Sequence, residues 1–226
     1  MANKSTDIPN WRRYRDACGM AQGLDLVGER WALPVIRELL LGPKRFTDLR
    51  KGLPGVSSNI LADRLDGLER SGVVRRRTLP APAASKVYEL TEWGMELKPV
   101  VVTLGRWGAR SPWRSDEDEI STDGLVLSFR AMFDPDAAGD LETSYGIVLG
   151  EQSFTIEVAD GRIRISRGMP AKVEASIKTD TATLGALVYE GGDLDEVLRS
   201  GEVEIEGERS AVERLLMLFP MPSPAG

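Results

Sequence analysis

The chain has 226 residues and not one histidine. That absence removes the side chain most used as a general base near neutral pH and the commonest zinc ligand. A Ser-His-Asp catalytic set is therefore excluded, and a transition-metal site is disfavoured. One cysteine, Cys18, rules out a disulfide within the chain. No run approaches the roughly 20 apolar residues of a membrane-spanning helix, and the opening MANKSTDIPNWRR lacks the apolar stretch of a secretory signal. A cytoplasmic protein without membrane association, metal or cofactor is the expectation. No spaced set of carboxylates suggests an enzyme. The acidic runs Asp116 to Glu119 and Asp193 to Glu196 read as solvated linker and helix start.

What is present is an ordinary apolar content of 42% and enough length for two cores. Charge is divided unevenly. Residues 1–115 carry 20 Lys and Arg against 12 Asp and Glu, while residues 116–226 carry 9 against 23, so a half of +8 precedes a half of −14. A basic half can approach a polyanion and an acidic half avoids one. The charge reverses within SPWRSDEDEISTD, which is poor in hydrophobes. The expected organisation is a domain at 1–112, a linker at 113–123 and a second domain at 124–226.

The most informative stretch runs from Phe46 to Leu90. Phe46 to Lys51 reads as a short amphipathic helix with Phe46 and Leu49 inward. Gly52, Pro54 and Gly55 interrupt it, since glycine permits positive φ and proline ends helices. Ser57 or Ser58 can cap the next helix. There, Ile60, Leu61, Leu65 and Leu68 fall on one stripe, leaving Ser58, Asn59, Ala62, Asp63 and Asp66 on the other face. Gly72 suits a C-cap. Val73 and Val74 open a strand that carries Arg75, Arg76 and Arg77, and Lys86 to Leu90 reads as its return. Helix, glycine-bearing turn, helix and cationic hairpin are the parts of a winged helix-turn-helix, whose second helix enters the DNA major groove. The plain alternative is a packing module that binds no nucleic acid.

Around this stretch, Trp11 to Arg15 is expected to begin a first helix, with Trp11 and Tyr14 as anchors. Cys18 to Gly28 reads as a short helix with Leu24, Leu26 and Val27 packing. Glu29 to Leu41 is a stronger helix, with Pro34 in its first turn and Gly42-Pro43 as its stop. Lys44 and Arg45 follow at the entrance to the next helix, placed to meet a phosphate. Glu92 to Ala109 reads as a helix that Pro99 can kink, with Trp93, Leu97, Val100, Val101, Leu104 and Trp107 on a wide apolar stripe, suggesting a dimer seam or a platform.

The residues Leu26-Val27-Gly28, Arg30-Trp31, Ile36-Arg37-Glu38-Leu39-Leu40, Gly42-Pro43, Arg45-Phe46, Leu53-Pro54-Gly55-Val56-Ser57, Arg64-Leu65, Leu68-Glu69 and Gly72-Val73-Val74 carry a specific resemblance. Over about residues 15 to 110 the chain resembles the HxlR family of bacterial winged-helix transcription regulators. The resemblance implies a homodimer on an inverted repeat of double-stranded DNA. Departures exist. The family often has a cation early in the recognition helix, where this chain has Asn59, which can instead read adenine bidentately. Lys86 stands near where the family's wing often carries arginine. Cys18 precedes glycine rather than the frequent proline. In some members that cysteine senses oxidants or electrophiles, and the plainer expectation is a small buried residue.

In the second half, Gly124 to Phe133 alternates Leu125, Leu127 and Phe129 and reads as a strand. Tyr145 to Gly150, Phe154 to Val158, Ile163 to Arg167 and Val173 to Ile177 read likewise, with Asp160-Gly161 as a hairpin turn. Helices follow from Thr181 to Tyr189, Asp193 to Leu198 and Arg209 to Phe219, with a brief strand at Val203 to Ile205 between the last two. The fold class is α+β: a winged helix followed by an antiparallel sheet covered by helices. The stretches GEQSFTIEVADGRIRISRG and SGEVEIEGERSAVERLLMLF resemble a sterol-carrier-protein-type domain. That resemblance implies an apolar cavity, for which Met132, Leu187, Tyr189, Leu216, Met217, Phe219 and Met221 are candidate walls.

Together these readings describe a homodimeric DNA-binding regulator, a repressor, controlled by a small hydrophobic effector. Ser57, Ser58, Asn59 and Asp63 would face bases or nearby phosphates. Lys44, Arg45, Arg50, Arg75, Arg76, Arg77 and Lys86 would hold the backbone. The alternative is a lipid-carrier module whose winged helix contacts proteins.

Overall fold

The computed structural model describes residues 13–113, 118–170 and 172–225. Trp11, at the start of the first expected helix, lies outside them. The chain forms two compact units, Met1–Val101 and Val102–Gly226. The division falls inside a helix. Residues 114–117 of the expected linker are outside the described residues.

In the first unit, residues 13–17 are not helical, contrary to expectation; the backbone N–H of Tyr14 donates to Asp25 Oδ1 at 2.9 Å instead. Helix α1 is Gly19–Val27 and α2 is Ala32–Leu39. Of the α1 residues expected to pack, Val27 is buried, but Leu24 faces solvent. Helix α3 is Phe46–Lys51, α4 is Ser58–Arg70, and the hairpin strands are β1 (Val74–Thr78) and β2 (Lys86–Leu90). Val35, Ile36, Leu39, Leu49, Leu53, Leu61, Leu65, Leu68 and Val73 form the core. Each such side chain contributes roughly 1.5–3 kcal/mol by leaving water. Glu92 to Ala109 is not one helix: α5 is Glu92–Met95 and α6 is Lys98–Gly108. Pro99 has no N–H to bond the carbonyl of Met95, so one helix cannot run through it unbroken, and it stands in the first turn of α6, where that donor is not needed. Thr91 fixes α5, since its hydroxyl accepts from Gly94 N–H at 3.0 Å and donates to Gly72 O at 2.7 Å.

In the second unit, α7 (Thr122–Met132) occupies the segment expected to be a strand. Leu125, Val126, Phe129 and Met132 satisfy the helical period as well as the alternation does, because nearly every position is apolar. Ser121 settles the matter by capping Gly124 N–H at 2.9 Å. A one-turn helix, α8 (Pro135–Ala138), precedes β3 (Thr143–Leu149), β4 (Gln152–Ala159), β5 (Arg162–Arg167) and β6 (Ala175–Thr179). Then come α9 (Thr181–Tyr189), α10 (Leu194–Ser200), β7 (Glu204–Gly207) and α11 (Arg209–Leu216). Asp160 and Gly161 turn β4 into β5 with φ of 52° and 63°, as a tight hairpin of this type requires.

The sheet order is β5-β4-β3-β6-β7, and it is not wholly antiparallel, because β3 and β6 run parallel. The cause is that β6 follows β5 in the chain but pairs on the far side of β3, so the two are joined by a crossover. Met169 lies over Gly146 during that crossing; a Cβ on Gly146 would sit 2.3 Å from Met169 Cε. Tyr145, Ile147, Phe154, Ile156, Ile165 and Ile177 share the buried face with Phe129, Leu184, Val212 and Leu215 of the helices. Glu157, Arg162, Arg164, Lys178, Glu204 and Glu206 populate the solvated face.

Candidate nucleic-acid interface

The geometry of the interface begins with α4. Ser57 is its cap: the hydroxyl accepts from Ile60 N–H at 3.3 Å. Ser57 thus fixes the start of the helix through its oxygen, and its side chain stays exposed. Leu61, Leu65 and Leu68 bury the inner face. Ile60, expected on that stripe, is 44% exposed and lies outside it. A spacing of one residue turns a helix by about 100°, so Ile60 and Leu61 cannot both face the core. Asn59 and Asp63 are exposed and Ser58 is half-buried. Arg64 folds back to Glu29, 3.3 Å away.

The helix-turn-helix angle is held by a buried carboxylate. Glu38 is fully buried and receives Lys44 Nζ at 2.6 Å and Arg37 Nη2 at 2.9 Å. Arg37 also reaches Gly52 O at 3.3 Å, and a Cβ on Gly52 would meet Glu38 Oε2 at 2.2 Å. Glycine is required where the turn passes the carboxylate. Lys44, expected on a phosphate, is turned inward to Glu38, while its backbone pairs with Tyr88 of the wing.

The wing arginines are exposed but occupied. Arg75 and Arg77 bind opposite oxygens of Glu89 at 2.7 and 2.9 Å, as the antiparallel register dictates. Arg76 pairs with Asp66 and, at 2.9 Å, with Glu69 of α4, and lies over the Tyr88 ring. Among the described residues, Arg45, Arg50, Lys51 and Lys86 are exposed and carry no ion pair. Lys51 was not singled out in the sequence, although it follows Arg50 in the last turn of α3.

Cys18 is exposed and free at the N-terminal edge of α1, not buried. Met20 of α1, Trp93 and Met95 of α5 and Val100 of α6 are exposed. A depression of about 210 Å³ is lined by Gly23, Leu26, Val27, Val73, Trp93, Glu96 and Leu97.

The seven candidate wall residues of the second unit do not share one environment. Met132, Leu187 and Phe219 are buried, and Phe219 stacks on Phe129 with centroids 4.7 Å apart. Tyr189 is half-buried; its hydroxyl shares a 2.6 Å hydrogen bond with Ser128, and burial raises its phenol well above the ordinary value. Leu216 and Met221 are half-buried. Met217, expected as wall, points into solvent at 75% exposure. Among the described residues no cluster of acidic, cysteine or histidine side chains could hold a metal, and no helix is long and apolar enough to cross a membrane.

Comparison with known proteins follows this division. Residues 26–116 match the HxlR-like helix-turn-helix family model, and residues 119–225 match the alkyl sulfatase C-terminal model. The sequence had suggested a sterol-carrier-type domain for that second stretch. An uncharacterized HTH-type transcriptional regulator of Bacillus subtilis, YdeP, is 33% identical over 119 residues, covering 53% of this chain and 93% of that protein. The B. subtilis HTH-type transcriptional regulator YodB is 36% identical over 88 residues, 39% of this chain and 79% of its own. The solved reduced form of YodB aligns with 45% of this chain and all of its own at 32% identity, with a TM-score of 0.39. These relatives are transcriptional regulators and not enzymes. The chain belongs to the HxlR-like family of helix-turn-helix transcriptional regulators and carries a further stretch, residues 119–225, beyond the family's match.

Proposed function

We propose that the protein is a homodimer that binds an inverted repeat in double-stranded DNA, with α4 of each subunit in a major groove and the wing beside it. One observation carries this reading. The solvent face of α4 presents Asn59 and Asp63, while the exposed, unpaired cations Arg45, Arg50, Lys51 and Lys86 stand on α3, its entrance and the wing. Cations of this kind fix register on phosphates, and the helix supplies base contacts. Met20, Trp93 and Val100, beside the apolar depression, support a second copy as the partner of the first unit. The proposal includes an apolar effector in the second unit, for which half-buried Tyr189, Leu216 and Met221 are the reachable wall residues. Such a molecule acts only through its affinity difference between two states.

Selection from a random duplex pool, followed by titration at several salt concentrations, tests the DNA reading. A palindromic consensus whose complex weakens with salt is the expected result. Equal retention of consensus and scrambled duplex would remove it. Native mass spectrometry tests the rest: a monomer at micromolar concentration contradicts the dimer, and a protein carrying no apolar adduct after purification and refusing fatty acyl probes contradicts the effector.

A further inference from the structure

We infer that Ile60 is a specificity determinant, packing on the C5-methyl group of a thymine in the operator half-site. The inference rests on the DNA-binding reading above and deepens it.

Ile60 lies in the first turn of α4, the part of a recognition helix that reaches base edges. It is 44% exposed although it directly precedes Leu61, which is fully buried. The inner face of α4 is complete without it. The other large exposed apolar residues of the first unit belong to the N-terminal segment, α1, α5 and α6, so Ile60 is the one such side chain on α4 among the described residues. Its near neighbours on the helix surface limit what it can meet. Asn59 precedes it and is exposed, Asp63 follows one turn later and is exposed, and Arg64 is drawn away to Glu29. Ser57 precedes the helix and accepts from the N–H of Ile60 as its cap.

The first two turns of α4 therefore offer a groove no available cation. What they do offer is the half-buried hydroxyl of Ser58 and, exposed, an amide, an apolar side chain and a carboxylate. Each of the exposed groups has a partner in the major groove: asparagine the edge of adenine, a carboxylate the amino group of cytosine, and an apolar side chain the thymine methyl. The thymine methyl is the apolar group that a base pair displays there, so a branched aliphatic side chain aimed at the groove selects it. Phosphates are served by Arg45, Arg50, Lys51 and Lys86, and Ile60 has nothing to offer them.

The test uses the full-length protein and the duplex chosen by random selection. Each thymine of one half-site is replaced in turn by 2′-deoxyuridine, which removes the methyl and nothing else. Wild type should lose about fivefold in affinity at one position, the scale of one buried methyl group. Ile60→Ala should bind the unmodified duplex about fivefold more weakly and be indifferent to the uridine at that position. Ile60→Val, which keeps the branch, should retain part of the discrimination, and unchanged thermal midpoints would show that both variants are folded. If wild type binds its selected duplex but tolerates uridine at every thymine, the assignment is wrong and DNA binding stands. An Ile60→Ala protein that still loses fivefold on uridine overturns it equally. If selection yields no preferred duplex, the underlying reading fails with it.

Discussion

Replacing Glu38 by alanine should unfold the first unit well before the second. The carboxylate is fully buried and holds Lys44 Nζ at 2.6 Å and Arg37 Nη2 at 2.9 Å. Removing one partner of a buried pair costs about 3–5 kcal/mol, because the opposite charge stays behind in a poor dielectric. Here the side chains of Lys44 and Arg37 are 12% and 30% exposed, so water reaches the cations and the lower end applies, about 3 kcal/mol. For a domain of this size each kcal/mol moves the midpoint by about 4–8 °C, giving a fall of about 12–24 °C. Calorimetry of wild type, Glu38→Ala, Lys44→Met and the double variant Glu38→Ala with Lys44→Met supplies the measurement. The double variant should be more stable than the sum of the single losses allows, since it leaves neither member of that pair charged and buried. A Glu38→Ala midpoint within about 3 °C of wild type, well under the shift of a single kcal/mol, or strict additivity in the cycle, would refute the claim that this carboxylate holds the helix-turn-helix together.

Two further outcomes follow from the geometry. Gly94→Ala places a Cβ 2.1 Å from the backbone oxygen of Val73, whereas Gly146→Ala meets the flexible end of Met169 at 2.3 Å and the Cβ of Ser176 on the paired strand at 2.9 Å; denaturant titration should find both variants destabilised and the first the more severely, and the reverse order would contradict the packing described. Asp180 caps α9 through Thr183 N–H at 2.9 Å, and that bond first of all holds its carboxyl below the ordinary range. Its contribution is therefore complete above the unfolded value of about 3.9 and fades as pH falls through the folded one. Asp180→Ala should cost about 1 kcal/mol at pH 7, with the gap to wild type closing at pH 2 in urea titrations; a gap that persists there would show another cause.

Much of this protein was legible in its residues, and the exceptions are instructive. Gly52, Ser57, Gly72 and the leucines of α4 announced the winged helix because turn, cap and stripe are local matters. The hairpin at Asp160-Gly161 was legible for the same reason. The helical state of 122–132 was not, since a segment buried on nearly all sides satisfies both periods, and only the cap at Ser121 distinguishes them. The parallel pairing of β3 with β6 depends on where a connection crosses, which no window of sequence contains. Ile60 and Leu61 are adjacent and chemically alike, so only the helix phase separates the core residue from the exposed one. Lys44, Arg75, Arg76 and Arg77 are cations in composition, but their partners Glu38, Glu89, Asp66 and Glu69 become visible only once the register and the α4–wing contact are in place.

The engaged state of the wing arginines bears on how binding responds to ionic strength. Charge neutralised on a duplex is normally counted from the cations a protein brings, because each phosphate covered sheds a condensed sodium ion. An arginine that abandons Glu89 or Asp66 for a phosphate leaves a bare carboxylate, which gathers sodium as the duplex gives it up. Such a swap is nearly silent in a log–log salt plot. The slope per subunit should thus report Arg45, Arg50, Lys51 and Lys86 and pass over the hairpin, even where the hairpin lies against the sugar-phosphate chain.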